Sequence, residues 1–165
     1  MTSIRIETPI DAPIDVCFDL ARSIDLHLES TAQTGERAVA GVTSGLIGLG
    51  QSVTWEANHL GVRQSMTVRV TEFERPHRFV DEMVRGPFKS MRHVHEFARI
   101  DGGQTLMTDV FEYEVPLGVI GEIVDRLFLS DYMRRFLDDR LDVVRLAAEA
   151  FRQPASYAKL AEANR

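Results

Sequence analysis

Two histidines, His93 and His95, stand one residue apart in a segment, Lys89–Ile100, that alternates between apolar and polar residues. On a strand that spacing puts both imidazoles on one face. The flanking alternating segments carry Asp81 and Asp109 at the same parity. A three-residue turn at Gly86-Pro87-Phe88 sets Asp81 opposite His93, Met83 opposite Met91 and Arg85 opposite Lys89, and one at Asp101-Gly102-Gly103 sets His95 opposite Asp109 and Phe97 opposite Met107. Each inward histidine thereby gains an inward aspartate.

A carboxylate beside an imidazole supports three chemistries. The pair can be a buried polar contact that satisfies groups burial would otherwise penalise. It can form the polar end of a pocket and orient a carboxyl, hydroxyl or carbonyl group. It can also run acid–base catalysis, since an aspartate fixes the imidazole tautomer and raises its basicity near neutral pH; His93, His95, Asp81 and Asp109 are then the catalytic candidates. The His-x-His spacing further suits zinc, with His59 or an aspartate completing the set. Nothing in the pattern brings His59 within the ~2 Å of the same ion that a ligand needs, so no metal and no cofactor are expected.

Strands and helices must hold these residues in place. Ser3–Glu7 alternates as a first strand, and Asp11-Ala12-Pro13 opens a helix through Ile14, Phe18 and Ala21, with Asp11 as its candidate cap. Ser23 caps a short second helix to about Glu29, and Glu36–Ala40 reads as a second strand. Four glycines between Gly41 and Gly50 lack the Lys-Ser/Thr of a phosphate loop and lead into a strand, so they describe a turn or a cavity rim. Val53, Trp55, Ala57 and His59 then share one face. After the turn Leu60-Gly61, Gln64, Met66, Val68 and Val70 continue that face. Strands over Arg78–Arg85, Lys89–Ile100 and Gln104–Val115 complete about seven. Pro116 ends the sheet. An apolar stripe through Ile120, Ile123, Val124, Leu127 and Phe128 precedes Ser130-Asp131, a candidate N-cap where the helix restarts or kinks. A long amphipathic helix follows from Tyr132 to Phe151, with Met133, Phe136, Leu137, Leu141, Val144 and Ala148 on one face.

The strand–helix–six strands–helix order makes an α+β domain in which a curved antiparallel sheet and the last helix cover each other. One helix about 10 Å across cannot fill the concavity of such a sheet, which leaves an internal cavity. The inward parity lines it with Trp55, His59, Met66, Phe79, Asp81, Met83, Met91, His93, His95, Met107, Asp109, Phe111 and Tyr113, and the helix adds Phe136. Four of the six methionines fall on this face, a plastic lining that accepts varied shapes.

The order of elements and several segments resemble the SRPBCC superfamily. The segments are Gly41–Gly50 leading into Val53-Thr54-Trp55-Glu56-Ala57, Phe73-Glu74-Arg75-Pro76, Phe79-Val80-Asp81-Glu82-Met83, Gly86-Pro87-Phe88, His93-Val94-His95-Glu96-Phe97 and Pro116-Leu117-Gly118. That helix-grip group contains START lipid-binding domains, pollen-allergen-like proteins and polyketide cyclases. The likeness spans residues 3 to 150 and is strongest to a bacterial ligand-binding branch, some of whose members carry a cell-division-inhibitor label. It implies a helix-grip fold and a shared pocket, not a shared reaction.

Length and composition bound the rest. The 165 residues, 44% of them hydrophobic, suffice for one domain over 1–151, with 152–165 expected as a frayed or disordered tail. A net charge of -6 gives no electrostatic case for nucleic acid or an anionic membrane surface. No apolar run is long enough for integral membrane association, and the N-terminus lacks a basic and apolar leader, so a cytoplasmic location is expected. The lone cysteine, Cys17, reads as a small buried hydrophobe. The favoured function is non-catalytic binding of a small hydrophobic or amphipathic molecule, a lipid, polyketide or aromatic metabolite. A polyketide cyclase or dehydratase using a His/Asp pair and an interaction protein with a filled pocket stay open beside it, and a homodimer is compatible with all three.

Overall fold

The computed structural model describes residues 1–59, 61–116, 118, 121 and 125–151. Seven strands form one antiparallel sheet: β1 (Thr2–Ile10), β2 (Arg37–Gly41), β3 (Ser52–His59), β4 (Val62–Glu74), β5 (Arg78–Arg85), β6 (Ser90–Ile100) and β7 (Gln104–Glu114), in the order β1-β7-β6-β5-β4-β3-β2. Helices α1 (Ile14–Ala21) and α2 (Ile24–Ser30) connect β1 to β2, crossing from one sheet edge to the other, and α3 (Ser130–Ala150) closes the chain. This is the helix-grip architecture. Bulges in the β2–β3 and β4–β5 pairings bend the sheet around the helices. At Gly41 (φ 76°) a side chain would collide with the Ser52 carbonyl, so glycine is required where β2 turns against β3.

The expected register holds at the centre of the sheet. Asp81 pairs with His93, His95 with Asp109 and Phe97 with Met107. It fails toward the Gly86-Pro87-Phe88 turn, because β5–β6 pairing ends at Glu82–Arg92. Met83 and Arg85 instead face β4, opposite Val68 and Thr67, and Arg85 is exposed. Met83 and Met91 are therefore not cross-strand partners.

Helix α1 begins with Pro13 at the cap position and no side-chain cap, so Asp11 does not serve as one. Ser23 does cap α2, its hydroxyl accepting from the Leu26 amide. Ser130-Asp131 does not restart a helix: Leu129 is itself helical and a π-helical turn, Asp125–Leu129, runs directly into α3. Leu127 and Phe128 lie in that turn and both are exposed, contrary to the apolar stripe expected there. The remainder of that stripe, Ile120, Ile123 and Val124, and the tail 152–165 lie outside the described residues. Among the described residues no helix is long and apolar enough to cross a membrane.

The interior has two parts. Beneath α1 and the end of α3, Phe18, Phe79, Phe97, Met107, Leu141 and Val144 make a closed core. Toward α2 and the start of α3, Trp55, Val68, Met91, Phe111, Met133 and Leu137 form a second cluster. A cavity opens within this second part.

Candidate functional site

The cavity measures about 290 Å³ and lies between the concave sheet, α2 and the first half of α3. Its apolar wall includes Ile24, Ile47, Trp55, Met66, Met91, Phe111, Met133 and Phe136. The glycine-rich loop supplies part of the rim: Ile47 is buried against the cavity, while Asp25 on α2 accepts from the Gly45 amide and holds the loop down.

Polar side chains gather on one part of the wall. His27, Glu36, Asp81, His93 and Arg140 all line it. His27 stacks on Trp55, with ring centroids 4.0 Å apart, and its Nε2 stands 3.3 Å from Glu36 Oε2 without hydrogen-bond alignment. Burial lowers the His27 pKa, whereas Glu36, despite the same burial, is lowered by its imidazole neighbour. Near the mouth His59 Nδ1 and the Tyr132 hydroxyl are 2.8 Å apart.

The floor of this polar region is the cluster anticipated from strand parity. His95 Nε2 hydrogen-bonds Asp81 Oδ1 at 3.1 Å, and His95 Nδ1 approaches Asp109 Oδ1 to 2.6 Å. His93 Nε2 comes within 2.9 Å of the same Asp109 oxygen. The contacts are diagonal as well as directly across: Asp81 is aligned with His93 in the ladder yet bonds His95. Long side chains that lean along the strand reach the next pair. Burial opposes charge on both rings, but the outcomes differ. For His95 the two aspartates outweigh burial and raise its pKa. For His93, burial and the neighbouring charged His95 push the pKa down to about 4. Against their burial, the histidines hold Asp109 and Asp81 below the usual carboxylate range. The two rings are thus driven in opposite directions: His95, between two carboxylates, holds its proton more firmly than a free imidazole, and His93, on the cavity side, holds its proton less firmly.

Of the residues expected at the site, Trp55, His59, Met66, Phe79, Asp81, Met91, His93, Phe111 and Phe136 border the cavity. His95 and Asp109 are sealed beneath Asp81 and His93. Met107 belongs to the closed core under α1, Tyr113 is buried in the second cluster, and Met83 sits at that cluster's margin. Their parity is inward, but α1 or neighbouring side chains cover them. His27, Tyr132 and Arg140 were missed although helical spacing points to them. His27 follows Ile24 by three residues, and Tyr132 and Arg140 flank Phe136 by four on the apolar stripe of α3. No comparable signal marks Glu36.

Comparison with known proteins follows this geometry. Residues 1–149 match the family model described as polyketide cyclase / dehydrase and lipid transport. The chain belongs to that family. The chain also shares the SRPBCC helix-grip fold with several solved structures. A Thermus thermophilus protein superposes with TM-score 0.74 at 18% identity, covering 92% of this chain and 100% of the other. The Zhui aromatase/cyclase of a Streptomyces species gives 0.73 at 15% identity, covering 93% and 97%. A START superfamily protein from Mycobacterium smegmatis gives 0.61 at 12% identity, covering 90% and 94%. Among curated proteins no sequence matches. Membership of the family rests on the match over residues 1–149, and at these identities the likeness to the solved structures is one of fold.

Proposed function

We propose that this family member binds a small, compact, largely apolar molecule carrying one polar group, and holds it without transforming it. The observation that carries this reading is the cavity itself. It is apolar over most of its wall, with His27, Glu36, Asp81, His93 and Arg140 converging on one part. Buried His27 Nε2 and Glu36 Oε2 face each other at 3.3 Å without hydrogen-bond alignment, and a ligand hydroxyl, which both donates and accepts, would bond the two. Ligand cavities typically span ~300–1,000 Å³, so one of about 290 Å³ suits one or two fused rings better than a long-chain lipid.

Binding is favoured over acid–base turnover because the two histidines divide what catalysis needs in one group. A general base works best with a pKa near the working pH and must reach the substrate. His93 borders the cavity but is held at about 4; His95, whose pKa is raised, is sealed from it. The family description names both cyclase / dehydrase and lipid transport, so each activity is open to this fold. Native mass spectrometry with 2-naphthol and decanoic acid as probes tests the proposal. One naphthol per chain is expected, bound more tightly than the fatty acid and lost in Ala57→Phe, which fills the cavity. No adduct, or one indifferent to that substitution, would overturn it.

A further inference from the structure

The Asp/His cluster has a geometry that a hydrogen-bonded pair does not require. One ligating atom each from Asp81, His93 and His95 fall within 4.8 Å of one another. His95 Nε2 and Asp81 Oδ1 are 3.1 Å apart. Two ligands ~2.1 Å from a shared ion stand roughly 3.0–3.4 Å apart at octahedral to tetrahedral angles, so this pair already has the spacing of one edge of a coordination shell. Asp109 completes the arrangement from behind. Its Oδ1 lies 2.6 Å from His95 Nδ1 and 2.9 Å from His93 Nε2, while its Oδ2 is buried with no hydrogen-bond donor among the described residues. A carboxylate held against the ring nitrogen that faces away from the metal is the device by which proteins fix the tautomer and direction of a ligating histidine, and Asp109 stands in that place for His95, whose Nε2 faces Asp81 and whose Nδ1 faces Asp109.

The rings are also locked. Phe79 stacks on His95 with centroids 4.2 Å apart, and Phe111 meets His93 edge-on at 5.2 Å. Both histidine side chains are at most 5% exposed, and Asp81, at 18%, forms the edge toward the cavity. Rigid, supported ligands beside an apolar chamber are what a metal site needs. We propose that Asp81, His93 and His95 bind a first-row divalent transition-metal ion, with Asp109 orienting the His95 imidazole and the remaining coordination positions directed into the cavity. Two imidazoles and one carboxylate suit zinc, cobalt, nickel or ferrous iron better than calcium or magnesium. A cavity ligand would then meet the ion through oxygen. The third ligand is Asp81 and not His59, which is engaged with Tyr132 at the mouth. This inference stands apart from the binding reading, since the ion and the organic ligand are assayed separately.

The test uses the full chain, stripped with a chelator, dialysed and titrated with Co²⁺. Saturation at one Co²⁺ per chain with visible ligand-field bands is expected, and Zn²⁺ should displace it. Asp81→Asn and His95→Gln should each weaken binding at least about tenfold, and Asp109→Asn about 10–100-fold with one site retained. Exposed His77→Ala should leave it unchanged. Asp81 is the least buried of the set and asparagine keeps its shape, so this variant decides the matter even if the His95 variant fails to fold. Absence of saturable Co²⁺ binding, equal affinity in Asp81→Asn and the unaltered chain, or loss on His77→Ala would each overturn the site. A naphthol complex that survives the loss of Co²⁺ binding would leave the function proposed above intact.

Discussion

Along β6 the inward side chains run Met91, His93, His95 and Phe97, and in those four positions they pass from a hollow interior to a solid one. At the Phe97 end, Phe18 of α1 drops among Phe73, Phe79 and Phe97, meeting each nearly edge-on with centroids 5.3–5.4 Å apart. At the Met91 end the first half of α3 stands over the sheet with Met133, Phe136 and Leu137, and a cavity remains between them. The two histidines and their aspartates sit at the boundary. Two ends of one alternating face thus differ according to what covers them: at the aromatic end α1 fills the interior, at the other a cavity remains, and the polar seam lies between.

The largest effect that would sharpen this contrast is expected from Phe18→Ala. Removing the ring should cost about 3–5 kcal/mol in urea unfolding, while naphthol affinity in the folded protein changes by less than about threefold. If binding fell along with stability, the two ends would not be separable.

Acidification should act next, on the seam. His93 is neutral when folded, with its pKa lowered from 6.5 to about 4. As pH falls the unfolded chain takes up that proton first. The stability His93 contributes is therefore full above about 6.5 and lost between 6.5 and 4, by an amount on the order of a few kcal/mol. His95 has the opposite sign: its raised pKa contributes stability that is full below 6.5 and lost as pH rises through the folded value. Asp81 and Asp109, both lowered, add further loss in stronger acid. Melting curves against pH should fall on the acid side of 6.5, and His93→Asn should flatten that fall. An unchanged slope in the variant would remove His93 from the account.

A smaller stability change with a large binding change is expected at the hollow end. Ala57→Phe projects into free space, so it should cost less than the ~1–3 kcal/mol usual for overpacking a filled core, yet reduce naphthol binding more than tenfold. Tyr132→Phe is the mildest test. It removes the contact to His59, with an expected loss of about 0.5–1.5 kcal/mol in the same unfolding assay.

Strand parity carried much of this organisation. It placed His93, His95, Asp81 and Asp109 on one face, and turn length set His95 against Asp109 because a tight hairpin leaves little freedom in register. Parity says only which way a side chain points. Met107 and Met91 are equivalent in the pattern of alternation, yet the first is packed into the closed core with α1 and the second borders the cavity, a difference that depends on helices distant in sequence. The diagonal bond from His95 to Asp81 was likewise hidden, since it depends on side-chain lean. Arg140 and His27 were legible in principle from helical spacing, but a charged residue on an apolar stripe is easily read as the stripe's edge.

The central claim is that the hollow end takes up a small apolar molecule, and the protein contains its own reporter. Trp55 is the single tryptophan and forms part of the cavity wall. Its emission, followed during titration with 1-anilinonaphthalene-8-sulfonate, should be quenched saturably by energy transfer at one probe per chain, and Ala57→Phe should abolish that quenching while leaving the melting curve cooperative. Quenching that never saturates, or that persists unchanged in Ala57→Phe, would contradict the account.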